Sequence, residues 1–257
     1  HPFLDSLPSS PAIFGSNELG AIAEKIVFIT TQDSAIAGVA QELSDVLADR
    51  PKFVFHVSGA LSSSVLRPLS DLGIRVGSIH PLVAISDPVS GAARLRDARF
   101  CIEGDEEAVQ LAKEIVAKLG GKSFSIDTKF KTLYHASAVI SSGHFVALID
   151  IATGLLGKCG MEKAEAKEVL LPLIESTALN IKEQSLSDAL TGPFARADLE
   201  TLLDHIDSLR ENASPEELEI YLHLGDRSLS LAGEKQADQK RIDQMREIIS
   251  DAHKSVS

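Results

Sequence analysis

The spacing of apolar positions changes character once along the chain, and that change divides it. Up to residue 128, short apolar runs at 25–30 (KIVFIT), 53–57 (FVFHV), 74–79, 99–103 and 123–126 alternate with amphipathic stretches. Such runs, rich in β-branched and aromatic residues and bounded by turn residues, predict strands buried on both faces. Helices are predicted after the first run up to residue 49, after the second through residue 72, and over 105–119, where Gly120-Gly121 ends the pattern. Strand–loop–helix units in succession predict parallel pairing. The third strand is expected to close at His80-Pro81, and a proline-, serine- and glycine-rich lead-in over 1–20 is expected to hold a short strand near 12–14.

Residues 129–157 form the hinge of this pattern, a proline-free stretch far longer than an average helix. Leu133, Ser137, Ile140, His144, Leu148, Ile151 and Leu155 recur at helical steps, while Lys131, His135, Ala138 and Ser142 make a roughly opposite stripe that Val139, Val146 and Ile149 also load. A helix apolar nearly all round is expected to be buried between layers. Beyond it only the helical period survives, over 162–183, 198–210, 215–231 and 235–254, with a turn at Thr191-Gly192-Pro193. Ser214, Pro215 and Glu217 stand at the N-cap, N1 and N3 positions of the third of these helices. The expected fold class is α/β, a parallel sheet in a domain over 1–128 followed by an all-α domain over 129–257.

Composition adds limits. At 257 residues and 44% hydrophobic, the chain can bury the cores of two domains. A net charge of −12 and a pI near 5.1 are the wrong sign for attraction to nucleic acid or anionic lipid, so neither is expected as a partner. Cys101 and Cys159 make neither a disulfide framework nor a metal site, and no metal is expected. Asp150 interrupts the most apolar helix, so no uninterrupted apolar run of membrane-crossing length is expected. A cytoplasmic protein acting on a small molecule fits these limits.

In an open parallel sheet, ligands sit beyond the carboxyl ends of the strands, which directs attention to Thr30, Thr31 and Gln32, to Ser58-Gly59, and to His80. Asp33 or Ser34 is expected to cap the first helix. Ser58 reads either as an N-cap serine or, with Gly59 allowing close approach, as part of a site that receives a developing oxyanion. His80, held extended by Pro81, reads either as a structural residue or as a ligand group. Lys131 and His135 are i and i+4, so their side chains meet; they read as an acid–base pair or as a snorkelling lysine beside a core histidine. No G-x-G-x-x-G follows a strand, and GSNELG at 15–20 has the wrong spacing.

The motifs IVFITTQDSAI, HVSGAL, GSIHPL, KTLYHASAV and ALTGPFARAD, in this order, resemble a little-characterised Rossmann-like oxidoreductase family. Its members pair a Rossmann-like domain with a helical domain of the 6-phosphogluconate dehydrogenase C-terminal type. More distant likenesses include hydroxyisobutyrate-type dehydrogenases, pyrroline-carboxylate reductases and ketopantoate reductases. The resemblance implies an NAD(P)-dependent oxidoreductase of the hydroxyacid dehydrogenase or ketoreductase type, acting on a small carbonyl or imine compound with NADP or NAD. It implies that Thr30, Thr31, Gln32 and Ser58 face the cofactor, that Ser58, Gly59, His80 and Ser142 face the substrate, and that Thr191 and Arg196 close over a substrate carboxylate. Lys131 would donate the proton with His135 beside it, and a homodimer would form through the helical domain. His135 stands where hydroxyisobutyrate-type enzymes carry asparagine, and Gly143 where asparagine is common in the family. The resemblance further implies a first strand, glycine-rich turn and helix upstream of residue 1, so the expected Rossmann-like sheet lacks its first βα unit. The alternative reading is a non-catalytic nucleotide- or metabolite-binding dimeric protein.

Overall fold

The computed structural model describes residues 19, 25–47, 50–235 and 238–256. The strand expected near 12–14 lies outside the described residues. The chain divides into two compact units, one reaching to His144 and the other beginning at Phe145.

The first unit holds a five-stranded sheet in sequence order: β1 (Ile26–Ile29), β2 (Phe53–His56), β3 (Arg75–Leu82), β4 (Arg99–Gly104) and β5 (Lys122–Ser125). β1, β2 and β3 are parallel, as are β4 and β5, but β3 and β4 run antiparallel. The sheet is therefore mostly parallel rather than wholly so. The reason lies in the connection. Residues 83–98 hold one short helix, α3 (Pro88–Arg94, 7 residues), and an antiparallel pair can be joined without the long crossover that a parallel pair needs.

β3 also continues past the expected stop at His80-Pro81. Its neighbour β2 ends at His56, opposite Ser78, so beyond that point β3 is paired on the β4 side alone. A proline without an N–H is tolerated where one side of the strand has no partner.

Period-2 alternation sorts the strands' side chains. On one face Ile29, Val54 and Val76 pack under α1 (Asp33–Val46) and α2 (Arg67–Ser70) with Ile36, Leu43, Leu66 and Leu69; on the other, Phe55, Ile79, Phe100 and Ile102 pack under α4 (Glu106–Lys118) with Ala112 and Val116. Each such large side chain contributes roughly 1.5–3 kcal/mol by leaving water. The first face turns polar toward the carboxyl ends of β2 and β3, where the same alternation delivers His56, Ser78 and His80 beside Cys101 and Glu103 of β4. The helix expected after Ser58 starts only with a 3₁₀ turn at Ser63–Leu66, because the Ser58 hydroxyl accepts the N–H groups of Ala60 (3.2 Å) and Leu61 (3.0 Å) and holds a turn there.

The single long helix expected over 129–157 is two: α5 (Lys131–Ser141) and α6 (Gly143–Lys158), broken at Ser142, whose φ/ψ is −128°/−75°. The Ser141 and Ser142 hydroxyls each donate at 2.8 Å to the carbonyl four residues back, a bond that bends helices, and Gly143 follows. Burial between layers is not found either. Leu133 is 69% exposed and Val146 68%, and Lys131 is the buried residue of α5. Among the described residues no second layer covers these positions. By length and composition the stretch Thr128–Lys158 is apolar enough to cross a membrane, with a mean hydropathy of 1.7 over its best window, contrary to the expectation drawn from Asp150. Its first half is nonetheless bonded to the sheet through polar side chains.

The second unit is helical: α7 (Lys163–Glu183), α8 (Leu186–Ala189), α9 (Gly192–Arg196), α10 (Leu199–Asn212), α11 (Pro215–Glu234) and α12 (Gln239–Val256). Leu202 and Ile206 of α10, Leu218, Leu222 and Leu229 of α11, and Ile242, Met245 and Ile249 of α12 form its core. α11 opens with the expected capping box, Ser214 Oγ accepting the Glu217 N–H while the Glu217 carboxylate accepts the Ser214 N–H. The expected turn at Thr191–Pro193 is the start of α9. The fold class is thus α/β, a Rossmann-like, mostly parallel sheet followed by an all-α unit.

Candidate active site

α5 begins just after β5, and its residues Lys131, Tyr134 and His135 fall at i, i+3 and i+4, so they share one face. That face meets the polar end of the sheet. Lys131 is 1% exposed, and its ammonium donates to Ser78 Oγ at 2.8 Å. The Ser78 hydroxyl donates in turn to the Ser58 carbonyl at 3.4 Å, and the Ser58 N–H donates to His56 Nδ1 at 3.2 Å. His80 Nδ1 and the Tyr134 hydroxyl are 2.8 Å apart, and the rings of His80 and His135 cross edge-on with centroids 6.0 Å apart.

Gly59 is pressed against both histidines. A Cβ there would lie 2.5 Å from His135 Cδ2 and 2.7 Å from His80 Nε2. Beside them opens a cleft of about 410 Å³ lined by His80, Pro81, Leu82, Val83, Ala84, His135, Ser137, Ala138, Val139, Ser141 and Ser142.

Burial pushes His80 down to about 4, and the charges of Lys131 and His135 act in the same direction. His80 is therefore a neutral imidazole at pH 7. Because the unfolded chain takes up this proton first, the associated stability is present above about pH 6.5 and is lost as pH falls toward 4. Burial also lowers His56 and Lys131 and raises the Cys101 thiol and the Tyr134 phenol. Cys101 and Glu103 partly offset the effect at Lys131. Glu103, itself buried, accepts Ser63 N–H (2.9 Å), Ser63 Oγ–H (2.7 Å) and Thr128 Oγ1–H (2.9 Å), tying β4 to both flanks of the site.

Of the residues singled out from sequence, Ser58, Gly59, His80, Lys131, His135 and Ser142 come together in the first unit. Lys131 is not among the residues that line the cleft. Thr30, Thr31 and Gln32 are exposed at the carboxyl end of β1, where Ile29 stands opposite His56. Gln32, not Asp33 or Ser34, takes the N-cap position of α1, and no side chain caps it, because the chain turns helical one residue earlier than a cap at Asp33 requires. Thr191 and Arg196 stand exposed at the two ends of α9 in the second unit. Sequence reasoning missed Tyr134, Ser78, His56 and Glu103. Tyr134 is three residues from Lys131, and Ser78 and His56 are each two from a residue already chosen, so helical and strand periods pointed to them.

The profile of a family described as Domain of unknown function (DUF2520) matches residues 98–228, more than half of the chain, from β4 through α5 into α11. The chain belongs to the DUF2520 family. The resemblance to a little-characterised Rossmann-like family is thereby borne out. Among solved structures, this DUF2520 chain is similar to protein TM1727 from Thermotoga maritima, at 27% identity and a TM-score of 0.70, over 82% of this chain and 80% of that one. A Bacteroides fragilis protein, BF3122, described as a candidate NADP oxidoreductase, is 21% identical with a TM-score of 0.64 over 82% of this chain and 78% of its own. Plasmodium falciparum pyrroline carboxylate reductase with NADP bound is 14% identical, with a TM-score of 0.56 over 94% of this chain and 84% of its own. The last two likenesses are of fold. No curated protein matches the DUF2520 chain in sequence.

Proposed function

We propose that this protein is an NAD(P)H-dependent reductase of the hydroxyacid dehydrogenase or ketoreductase type, acting on a small carbonyl or imine compound. One observation carries the reading: a neutral histidine, oriented by a tyrosine, abuts a glycine turn at the carboxyl end of a parallel strand and opens onto a cleft. Solved structures of the same fold that are named for NADP chemistry support it. The described residues fit the nicotinamide end of such a cofactor. Thr30, Thr31 and Gln32 lie on the open end of β1, the first-turn N–H groups of α1 have no side-chain cap, and Ser58-Gly59 brings backbone close to the site. No glycine-rich turn of the pyrophosphate-binding kind follows a strand among the described residues. When bound, the cofactor supplies hydride. In the tautomer where the Tyr134 hydroxyl donates to Nδ1, His80 carries its proton on Nε2 and can offer that N–H to the substrate's oxygen or nitrogen, as neutral imidazoles do. His135 and Ser142 line the substrate side.

The test uses the full-length gene product. NADPH at a hundredfold excess over its Kd should add about 2.7 kcal/mol of stability. That corresponds to a rise of roughly 5–10 °C in melting temperature for a protein of this size. A melting temperature indifferent to both NADPH and NADH would remove the reading.

A homodimer through the helical region, with the helical unit being of the 6-phosphogluconate dehydrogenase C-terminal type, is the second part of the proposal. Its support is the uncovered apolar surface of α6 and α7: Phe145, Val146, Val169, Leu179 and Ile181 are exposed, and Leu173 is 63% exposed. An obligate interface of more than about 2,000 Å² is expected. Light scattering at micromolar concentration should give twice the chain mass, and Leu173→Glu should shift it toward one; a monomeric native protein would contradict the proposal. Both cysteines are free, Cys101 buried and Cys159 exposed, which supports a reducing compartment, the cytoplasm.

A further inference from the structure

A lysine ammonium buried to 1% exposure at the end of a sheet is costly unless its protons are used, and retaining one in place of an apolar side chain calls for a reason. Lys131 is not among the residues that line the cleft; its ammonium bonds Ser78 Oγ on β3, and from there the chain of hydrogen bonds ends on the Ser58 carbonyl. The other polar groups of Ser58 are also engaged: its N–H with His56 Nδ1, and its hydroxyl oxygen with the N–H groups of Ala60 and Leu61. The turn that carries Gly59 is thus clamped at both backbone groups of Ser58 by buried side chains from β2 and β3. The same ammonium lies 5.6 Å from the centre of the Tyr134 ring, whose hydroxyl holds His80 Nδ1.

We infer that Lys131 is a positioning residue, which through Ser78 fixes the Ser58-Gly59 turn and through Tyr134 steadies His80, and that it does not itself touch the substrate. Its charge adds to burial in holding His80 neutral. The groups facing His80 are Tyr134, His135 and Lys131 of α5, Asp33 of α1, His56 of β2, and Cys101 opposite it on β4; after burial, Lys131 acts most strongly. Lowering the charge of the histidine while bracing its ring explains why a cation rather than a methionine occupies this position. What the clamped turn binds rests on the reductase reading, but the clamp itself does not.

The experiment therefore needs no cofactor or substrate: NMR titration of His80 and amide hydrogen exchange in the ligand-free full-length protein, for the wild type, Lys131→Met and Ser78→Ala. In Lys131→Met, His80 should titrate about one unit higher, since a neighbouring like charge is gone. In both variants the amides of residues 58–61 should exchange about tenfold faster, as local opening becomes easier. Ser78→Ala should leave the His80 titration where it was, because the charge stays. An unmoved His80 in Lys131→Met, or unchanged exchange of the turn in Ser78→Ala, would overturn the inference. Should Lys131→Met fail to fold, the Ser78→Ala exchange rates decide alone. If the titration and exchange results hold while no nicotinamide binds, the clamp stands and the reductase reading falls.

Discussion

Gly104→Ala is expected to destabilise the first unit severely, to the point that little folded protein is recovered at 37 °C. Gly104 ends β4 with φ at +137°, a conformation that L residues rarely adopt. Across the antiparallel pair it faces Gly77, and a Cβ would press on the Val76 carbonyl oxygen and come within 2.5 Å of Gly77 Cα. Both contacts are backbone, so no rotamer change relieves them. Strain of about 1–3 kcal/mol for the backbone conformation adds to about 1–3 kcal/mol for overpacking. Against a total stability of about 5–15 kcal/mol, that is a large fraction. The neighbouring bonds that fix the crossing, Asp105 N–H to the Val76 carbonyl (3.0 Å) and Val76 N–H to the Asp105 carboxylate (2.9 Å), would be pulled apart as well. Gly120→Ala separates the two effects: φ is also positive there, +78°, but the nearest atom to a Cβ is Arg96 Cγ at 4.0 Å, so only the conformational strain remains. Urea unfolding of both variants checks the argument. A Gly104→Ala protein as stable as Gly120→Ala would show that the crossing has slack.

The same crossing shows why part of the fold was legible in the sequence and part was not. The strands were legible because short apolar runs bounded by turn residues are a local signal; which face each residue takes, as with Val54 and Phe55, follows once the strand is placed. The antiparallel step between β3 and β4 was not, since it is set by the direction in which the 83–98 connection returns the chain, and nothing in the hydrophobic period reports that. The break at Ser142 was visible in principle, as two serines followed by glycine, but the apolar period runs straight through it. Burial of α5 and α6 was read from composition. Composition says that such a surface wants a cover, not that the same chain provides it.

In the site, the i, i+4 relation of Lys131 to His135 brought both to one face, as helical geometry requires. It left open which way the longer side chain turns. That is decided by Ser78, 53 residues away in sequence and brought into reach only by the register that sets Ser78 opposite both His56 and Glu103. Long-range partners of this kind leave no mark on a local period. Tyr134 is the opposite case, a residue inside a recognised motif whose role is apparent only when His80 is seen 2.8 Å from its hydroxyl.

Gly59→Ala tests the site where its geometry is tightest. Here φ is not positive and the backbone imposes no strain; the only obstacle is space. A methyl group at 2.5 Å from His135 Cδ2, and at 2.7 Å and 2.8 Å from His80 Nε2 and Cε1, forces either the turn or the rings to move. The turn is held through Ser58 by His56 and Ser78, and His80 is held by Tyr134, so neither yields freely. Overpacking should cost about 1–3 kcal/mol of stability, which a domain of this size survives. Function should suffer more, because displacing a reacting group by about 1 Å can cost on the order of 10²-fold. The expected result is a folded protein whose affinity for NADPH and whose turnover fall together, with His80 titrating at a different pH as its contact with Tyr134 shifts. Gly38→Ala, in the exposed interior of α1 with nothing within 4 Å of its added methyl, is the internal control and should gain about 0.5–1 kcal/mol from helix propensity. Should Gly59→Ala bind NADPH as the wild type does and leave the His80 titration in place, the turn and the two histidines do not form one site, and the cleft beside them is not where the chemistry occurs.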